Sequence, residues 1–409
     1  MNWGNEKLGK LCDKIGSGIT PRGGASVYID RGVGLIRSQN VYNSRFSTNG
    51  LVCITDKVAN RMSNVTVKAD DILLNITGDS VARSCKVPVA ILPARVNQHV
   101  AIIRTIPVKL SPSFLGHFLV SPKMQNIMLS LAGSGGTRKA LTKGMIENFD
   151  IPLPDLPTQE RIAGVLSAYD DLIDNNRRRI ALLEEAARLI YREWFVHFRF
   201  PGHENTPFEN GLPVGWERYE LPEIVDFKEG PGLRNHQYRD KGVPFLNIRT
   251  LVGDDIDLSK IQFLEPDEVS RRYEHFLLKE DDHVVSSSGT LGRLATVRES
   301  HLPLCLNTSI IRYRPKKIIG KWFLKAFLLH GDFIDQAKSM ATGAAQLNYG
   351  PSHVKQMRVL VGSKTIMQSF EDLTAPVYTQ KKQLFEQNAV LARTRDLLLP
   401  RLMDGRITV

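Results

Sequence analysis

Arginine and lysine can offer paired hydrogen bonds to the edge of guanine, and asparagine and glutamine to adenine. The sequence sets such groups in loops that follow short apolar strands. In the first half they are Thr20 and Arg22 in GITPRGG, Arg37, Gln39 and Asn40 in IRSQN, Arg83, and Arg138 with Lys139 in GTRKAL. In the second half Arg234, Asn235 and His236 in GLRNHQ, Arg249 in NIRT and Arg293 in GTLGR are comparable. Each of these also suits a solvated or structural role. Asn97 and Asn307 lie within apolar strands and read as structural. The run NNRRR at 175–179 is either a solvated face or a contact to phosphate or to a protein partner.

No self-sufficient catalytic constellation accompanies them. The patterns H-E-x-x-H, G-x-S-x-G and G-x-x-x-x-G-K-[ST] are absent. AGSGGTRKAL at 132–141 has glycines before basic residues, but in the wrong order for a phosphate loop. There is no Asn-Pro-Pro-aromatic motif for adenine methylation, and the 10 histidines are dispersed. Cys12, Cys53, Cys85 and Cys305 share no C-x-x-C spacing, so they read as reduced thiols rather than zinc ligands or disulfides. The net charge of +11 suits a polyanion partner. It is concentrated in residues 1–157, which hold 19 Lys/Arg against 10 Asp/Glu. With neither a leader-like N-terminus nor an apolar run of about 18 residues, a soluble, cytoplasmic protein without membrane contact is expected.

The elements that must position these loops are written twice. ADDILLNITGD (69–79) resembles EDDHVVSSSGT (280–290), VNQHVAIIR (96–104) resembles LNTSIIRYR (306–314), and FLGHFLV (114–120) resembles FLKAFLL (323–329). The offset is 211 for Gly78 and Gly289, 210 for Asn97 and Asn307, and 209 for Phe114 and Phe323. The strand-rich segments are bounded by Gly, Pro, Asp and Asn, which predicts mixed sheet-and-helix domains. The second copy opens near 200–216.

Each copy ends in a helix whose apolar residues recur at steps of three and four, the spacing of a stripe facing a partner helix. The first stripe is Leu166, Tyr169, Ile173, Asn176, Ile180, Leu183, Ala187, Ile190 and Trp194, with Thr158 as N-cap. The second is Leu373, Val377, Gln380, Leu384, Gln387, Leu391, Thr394 and Leu398; it starts or kinks at Pro376 and stops at Pro400. A single stripe also fits ordinary core. Two matched stripes, with Asn176 and Gln387 both at interior-type positions, favour the helices packing on each other.

IPLPDLPTQERIAGVLSAYDDLIDNNRRRIALLEEAARLIYREWFVHFRFPG (151–202) and FEDLTAPVYTQKKQLFEQNAVLARTRDLLLPRLMDGRI (370–407) resemble the central and distal conserved regions of the specificity subunits of type I restriction-modification enzymes. The phrases EWFVHFRFPG and LLPRLMDGRI carry most of the resemblance, which extends over essentially the whole chain. One departure is VLVGSKTIMQSF (359–370), where the first half has PLPDLPTQE (152–160).

The resemblance implies an α+β chain with two similar mixed α/β target recognition domains, residues 1–157 and 201–364. They would be separated by helical regions 158–200 and 365–409, paired as an antiparallel coiled coil with pseudo-twofold symmetry. Each domain would read one part of a split DNA target. A helix over 158–195 would be about 57 Å long at about 1.5 Å per residue, against about 34–36 Å for one DNA turn, so the helices would set the unread gap.

The partners implied are double-stranded DNA, two methyltransferase subunits that bind S-adenosylmethionine, and a restriction and motor subunit that uses ATP. This chain would bind no cofactor or metal and contribute no catalytic residue. Two other readings are a self-contained DNA-modifying enzyme and a coiled-coil interaction protein with two folded arms.

Overall fold

The computed structural model describes residues 3–133, 139–342 and 347–409 of the chain. Its contacts divide into two compact units, residues 1–175 with 388–409, and residues 176–387. The two long helices are each shared between the units.

In the first unit β1 (Cys12–Ser17), β5 (Ile72–Asn75), β6 (Ser84–Lys86) and β8 (Val100–Thr105) form an antiparallel sheet in the order β1-β8-β5-β6. A second sheet has the order β3-β2-β7-β4, from β2 (Val33–Ile36), β3 (Val52–Ile54), β4 (Thr66–Val67) and β7 (Ala94–Val96). Two apolar layers follow from strand alternation. Ile72, Leu74, Ala101 and Ile103 join one cluster. Leu73, Val100 and Ile102 join the other, under the second sheet. Helix α1 (Pro112–Val120) packs on the first layer, and the long helix α2 (Leu156–Tyr191) follows.

The second unit repeats the main sheet. Its strands β9 (Val225–Glu229), β12 (His283–Ser286), β13 (Leu294–Thr296) and β14 (Ile310–Pro315) are ordered β9-β14-β12-β13. The registers coincide: Ile102 faces Gly16 and Leu73, while Arg312 faces Lys228 and Val284. The counterpart of the second sheet is reduced to a pair, β10 (Val243–Phe245) with β11 (Gln262–Leu264). Helices α3 (Lys321–Leu329) and α4 (Lys364–Met403) complete the unit.

Buried polar chemistry is duplicated with the backbone. Asp71 receives two hydrogen bonds from Arg104, both 2.7 Å, and Asp282 receives two from Arg314, at 2.7 and 2.9 Å. The backbone N–H groups of Lys68 and Lys279 donate to the same two carboxylates. Both carboxylates are almost fully buried, where a bidentate guanidinium partner is needed to offset desolvation. The N-termini of α1 and α3 are closed by side chains of the long helices. Gln159 accepts from the Ser111 N–H at 2.9 Å, and Glu371 accepts from the Phe323 N–H at 2.7 Å. The departure at 359–370 therefore changes the sequence of the second junction without removing its capping contact.

The long helices correct several expectations. Asp155, not Thr158, caps α2: its Oδ1 accepts from the Thr158 N–H at 3.1 Å, and that bonding holds the carboxyl below its ordinary range. On α2 and the turn Arg192–Val196 that continues it the expected stripe is largely met, with Leu166, Ile173, Asn176, Ile180, Ala187 and Trp194 buried and Leu183 half-buried. On α4 the phase is displaced by one residue over its first half. Leu373 and Gln380 are exposed, Val377 is half-buried, and Thr374, Tyr378 and Lys381 are buried in their place.

The phases coincide again at Leu384, which is buried. Gln387 is exposed, however, so it is no counterpart of buried Asn176, and Leu391 and Leu398 are half-buried beside fully packed Leu399. Helix α4 neither starts at Pro376 nor stops at Pro400, since it runs from Lys364 to Met403. Pro400 removes one i to i−4 hydrogen bond, and Leu399, Leu402 and Met403 hold that last turn in the core of the first unit. Among the described residues no helix is long and apolar enough to cross a membrane.

Candidate nucleic-acid interface

The loop after β1, like that after β9, is set by one glycine. A Cβ on Gly18 would stand 2.0 Å from the Val96 carbonyl oxygen, and one on Gly230 would stand 2.4 Å from Asn307 backbone atoms. Only glycine tolerates so close an approach. Asn97 and Asn307 lie just before the last strand of each main sheet rather than within a strand, and their side chains accept from the local backbone N–H groups of His99 at 3.1 Å and Thr308 at 2.7 Å. Asn97 is buried and Asn307 half-buried. Four residues beyond each glycine, Arg22 and Arg234 are exposed, as are Thr20, Asn235 and His236.

The next loops are the short helical turns Ser38–Asn40 and Ile248–Thr250. Their last residues are buried and pin the turn. Asn40 donates to the carbonyls of Ser47 (2.9 Å) and Asn49 (3.3 Å) and accepts from the Arg37 N–H (3.0 Å). Thr250 donates to the Asn247 carbonyl at 2.7 Å. Asn40, expected at the surface, is thus fully buried with its amide committed to the loop, which removes it from the candidate contacts. Arg37 is half-buried, donates to the Gly50 carbonyl at 2.6 Å and lies 5.4 Å from the Tyr28 ring centre. The middle residues, Gln39 and Arg249, are exposed.

The third pair of loops joins β5 to β6 and β12 to β13. The Asn75 N–H donates to the Arg83 carbonyl at 2.8 Å, and the Ser286 N–H donates to that of Arg293 at 2.9 Å. Arg83 is half-buried with its guanidinium 5.0 Å from the Tyr42 ring centre; Arg293 is exposed. Arg45 lies 4.7 Å from the same ring, a cation–aromatic group that charge and loop position alone did not single out. Its sequence signal is the polar turn Asn43-Ser44 between Tyr42 and Arg45. Lys139 is exposed and its carbonyl accepts from the Gly78 N–H at 3.1 Å, whereas Arg138 lies outside the described residues. Arg177, Arg178 and Arg179 are exposed on α2.

These loops present cations and amides rather than reactive groups. Among the described residues no three His, Cys, Asp or Glu side chains gather as a metal site. Burial pushes the thiols of Cys12, Cys85 and Cys305 up to about 12, which leaves them protonated and poor nucleophiles.

Comparison with known proteins agrees with this chemistry. Residues 2–185 match the type I restriction modification DNA specificity domain family. The type I restriction enzyme MjaIX specificity subunit of Methanocaldococcus jannaschii is 24% identical over 307 residues, 72% of this chain and 68% of that one. The type I restriction enzyme HindI specificity subunit of Haemophilus influenzae is 21% identical over 365 residues, 72% of this chain and 77% of that one. The fold is similar to a crystal structure of a type I restriction-modification system S subunit from M. genitalium, with a TM-score of 0.56 at 17% identity over 98% of this chain and 96% of that one. Two units of one design and loops rich in unreactive cations accompany these likenesses: residues 2–185 match the type I restriction modification DNA specificity domain, and the chain as a whole is similar to specificity subunits of type I restriction enzymes.

Proposed function

We infer that this chain is the sequence-specific DNA-binding subunit of a type I restriction-modification complex, non-catalytic itself, that directs adenine methylation and restriction by partner subunits to a bipartite target. The observation that carries this is the duplication: one main-sheet order and one set of three loops occur twice, each set including exposed hydrogen-bonding side chains. A protein that reads two separated words needs two such heads.

In this reading residues 1–157 and 201–364 are the target recognition domains, and the regions 158–200 and 365–409 pair as an antiparallel coiled coil related by a pseudo-twofold. Supporting it, α2 and α4 have 36 and 40 residues, about 54 and 60 Å at about 1.5 Å per residue. That exceeds one DNA turn of about 34–36 Å. Two methyltransferase subunits dock on the helices and bring S-adenosylmethionine, and a restriction and motor subunit uses ATP.

The test is to map methylated adenines in DNA from cells making this chain with its neighbouring methyltransferase. A split target with a fixed gap is expected, and replacing residues 1–157 by another family member's domain should change one half of it only. A continuous target, or alteration of both halves, overturns the proposal. An interaction protein without a nucleic-acid role would instead show association insensitive to salt, whereas phosphate contacts weaken steeply as salt rises.

A further inference from the structure

The two units align residue by residue around their loops, which sorts the loop side chains into two kinds. Arg83 and Arg293 occupy one place: each carbonyl accepts from the end of the preceding strand, and each follows a left-handed residue, Ala82 (φ 73°) or Gly292 (φ 79°). Arg22 and Arg234 each stand four residues beyond the tightly packed glycine. At these two places both units carry arginine.

The third place differs. Gln39 and Arg249 are the middle residues of equivalent turns, 210 apart, as are the buried residues that follow them, Asn40 and Thr250. The turns close alike, with the Ser47 N–H on the Asn40 carbonyl and the Asp257 N–H on the Thr250 carbonyl, both at 2.8 Å. Arg249 is exposed and, among the described residues, its guanidinium has neither hydrogen bond nor ion pair. Gln39 donates to the Gly50 carbonyl at 3.2 Å, which leaves its second amide hydrogen and its oxygen to pair outward.

Two half-sites of different sequence share one chemical feature, the phosphodiester backbone. Groups that are the same in both units therefore suit that common part, and groups that differ suit what distinguishes the half-sites. We propose, resting on the DNA-reading function above, that Arg249 reads a guanine in one half-site and Gln39 reads an adenine at the corresponding place in the other. The four arginines Arg22, Arg83, Arg234 and Arg293 bind phosphates. The chemistry follows from edge geometry: a guanidinium matches the two acceptors of guanine, and a carboxamide matches the donor and acceptor of adenine.

The experiment selects bound DNA from a randomised pool with the full-length chain assembled with its methyltransferase subunits. The wild type is compared with Arg249→Gln, Gln39→Arg, Arg234→Ala and Arg293→Ala. Arg249→Gln is expected to change one position of one half-site from guanine to adenine, by about ten- to a hundredfold in preference, leaving the other half-site as it was. Gln39→Arg is expected to make the reverse change in the other half-site. Arg234→Ala and Arg293→Ala are expected to weaken binding to all sequences and to reduce the salt slope by about one each. If Arg249→Gln and Gln39→Arg leave the preferred bases unchanged, or if Arg234→Ala or Arg293→Ala alters them, the assignment is overturned while the bipartite reading stands. A wild type that selects no bipartite sequence overturns both.

Discussion

The two units share a scaffold, but equivalent positions on their long helices carry charges of opposite sign. In the first unit Asp170 on α2 pairs with Arg395 on α4. In the second, Glu184 on α2 lies 3.4 Å from Lys381 on α4. Asp170 and Lys381 are 211 residues apart, and so are Glu184 and Arg395: each position keeps a charge while its sign is inverted. Helix α2 thus supplies the acid and α4 the base in both units. What the repeat preserves is a contact, and the residue type is free to change so long as its partner changes too.

The surroundings differ further. In the second unit Lys381 also meets Asp254 at 2.6 Å, and Asp254 meets Lys325 at 2.9 Å, all three nearly inaccessible. Burial raises the Asp254 carboxyl, but the two lysines outweigh it and leave the group below its ordinary range. Lys325 is lowered, chiefly by burial. The residue equivalent to Asp254 is Ser44, which has the same left-handed backbone and no charge.

The largest expected effect breaks this contrast directly. Asp254→Ala leaves the buried Lys325 ammonium without a carboxylate and Lys381 with Glu184 alone, and should cost about 3–5 kcal/mol in urea denaturation, whereas Ser44→Ala, with no cation to strand, should cost less than about 1 kcal/mol. Similar losses for the two would mean that the second unit gains nothing from its ion cluster.

Next is acid sensitivity. Burial depresses His117 in the first unit and His283 in the second to about 4, from an ordinary 6.5. His283 faces Lys325, Asp254 and Asp281, donates from Nε2 to the Lys321 carbonyl and pairs through Nδ1 with the Thr296 hydroxyl; His117 faces Arg395, Lys86 and Asp170. The unfolded chain binds these protons first, so stability is complete above pH 6.5 and falls between 6.5 and about 4, by up to about 3 kcal/mol per histidine. His117→Gln and His283→Gln should each flatten that part of a stability-against-pH curve; an unchanged slope counts against both buried neutral imidazoles.

Smaller, and meant to be equal, are the effects of Asp71→Asn and Asp282→Asn. Each loses a charge-assisted bidentate pair of nearly the same geometry, so each should cost about 1.5–3 kcal/mol. A difference between them beyond about 1 kcal/mol would show that the scaffolds are not energetically equivalent. Smallest is the exchange of the first helix pair: Asp170→Arg and Arg395→Asp should each destabilise, and the double variant should recover about 1 kcal/mol in a double-mutant cycle.

Much of this organisation is local and therefore legible in the chain. The repeat is visible because ADDILLNITGD and EDDHVVSSSGT carry the alternation and turn residues that make the same strand and the same tight loop. Helix α2 is legible because its buried face, from Leu166 to Trp194, is mostly apolar, so a period of three and four finds it. On α4 the same counting slips by one residue. Its buried face includes Thr374 and Lys381, while Leu373, Val390 and Leu397 point to solvent. An apolar count cannot register a lysine whose burial depends on a carboxylate 127 residues away.

Among the loop candidates, Arg22, Arg234, Arg249 and Arg293 are exposed as their types suggest, whereas Asn40, beside Gln39 in the same three-residue turn, faces inward. Residue type gives both asparagine and glutamine the hydrogen bonds to read a base. Which of them turns outward depends on where the carbonyls of Ser47 and Asn49 lie, because a buried amide must be satisfied. The sequence by itself determined the duplicated elements and the unreactive character of their loops, since hydrophobic period and side-chain chemistry are local properties. Only tertiary structure decided the phase of α4, the inverted ion pairs and the outward residue of each turn, because each depends on partners brought together from distant parts of the chain.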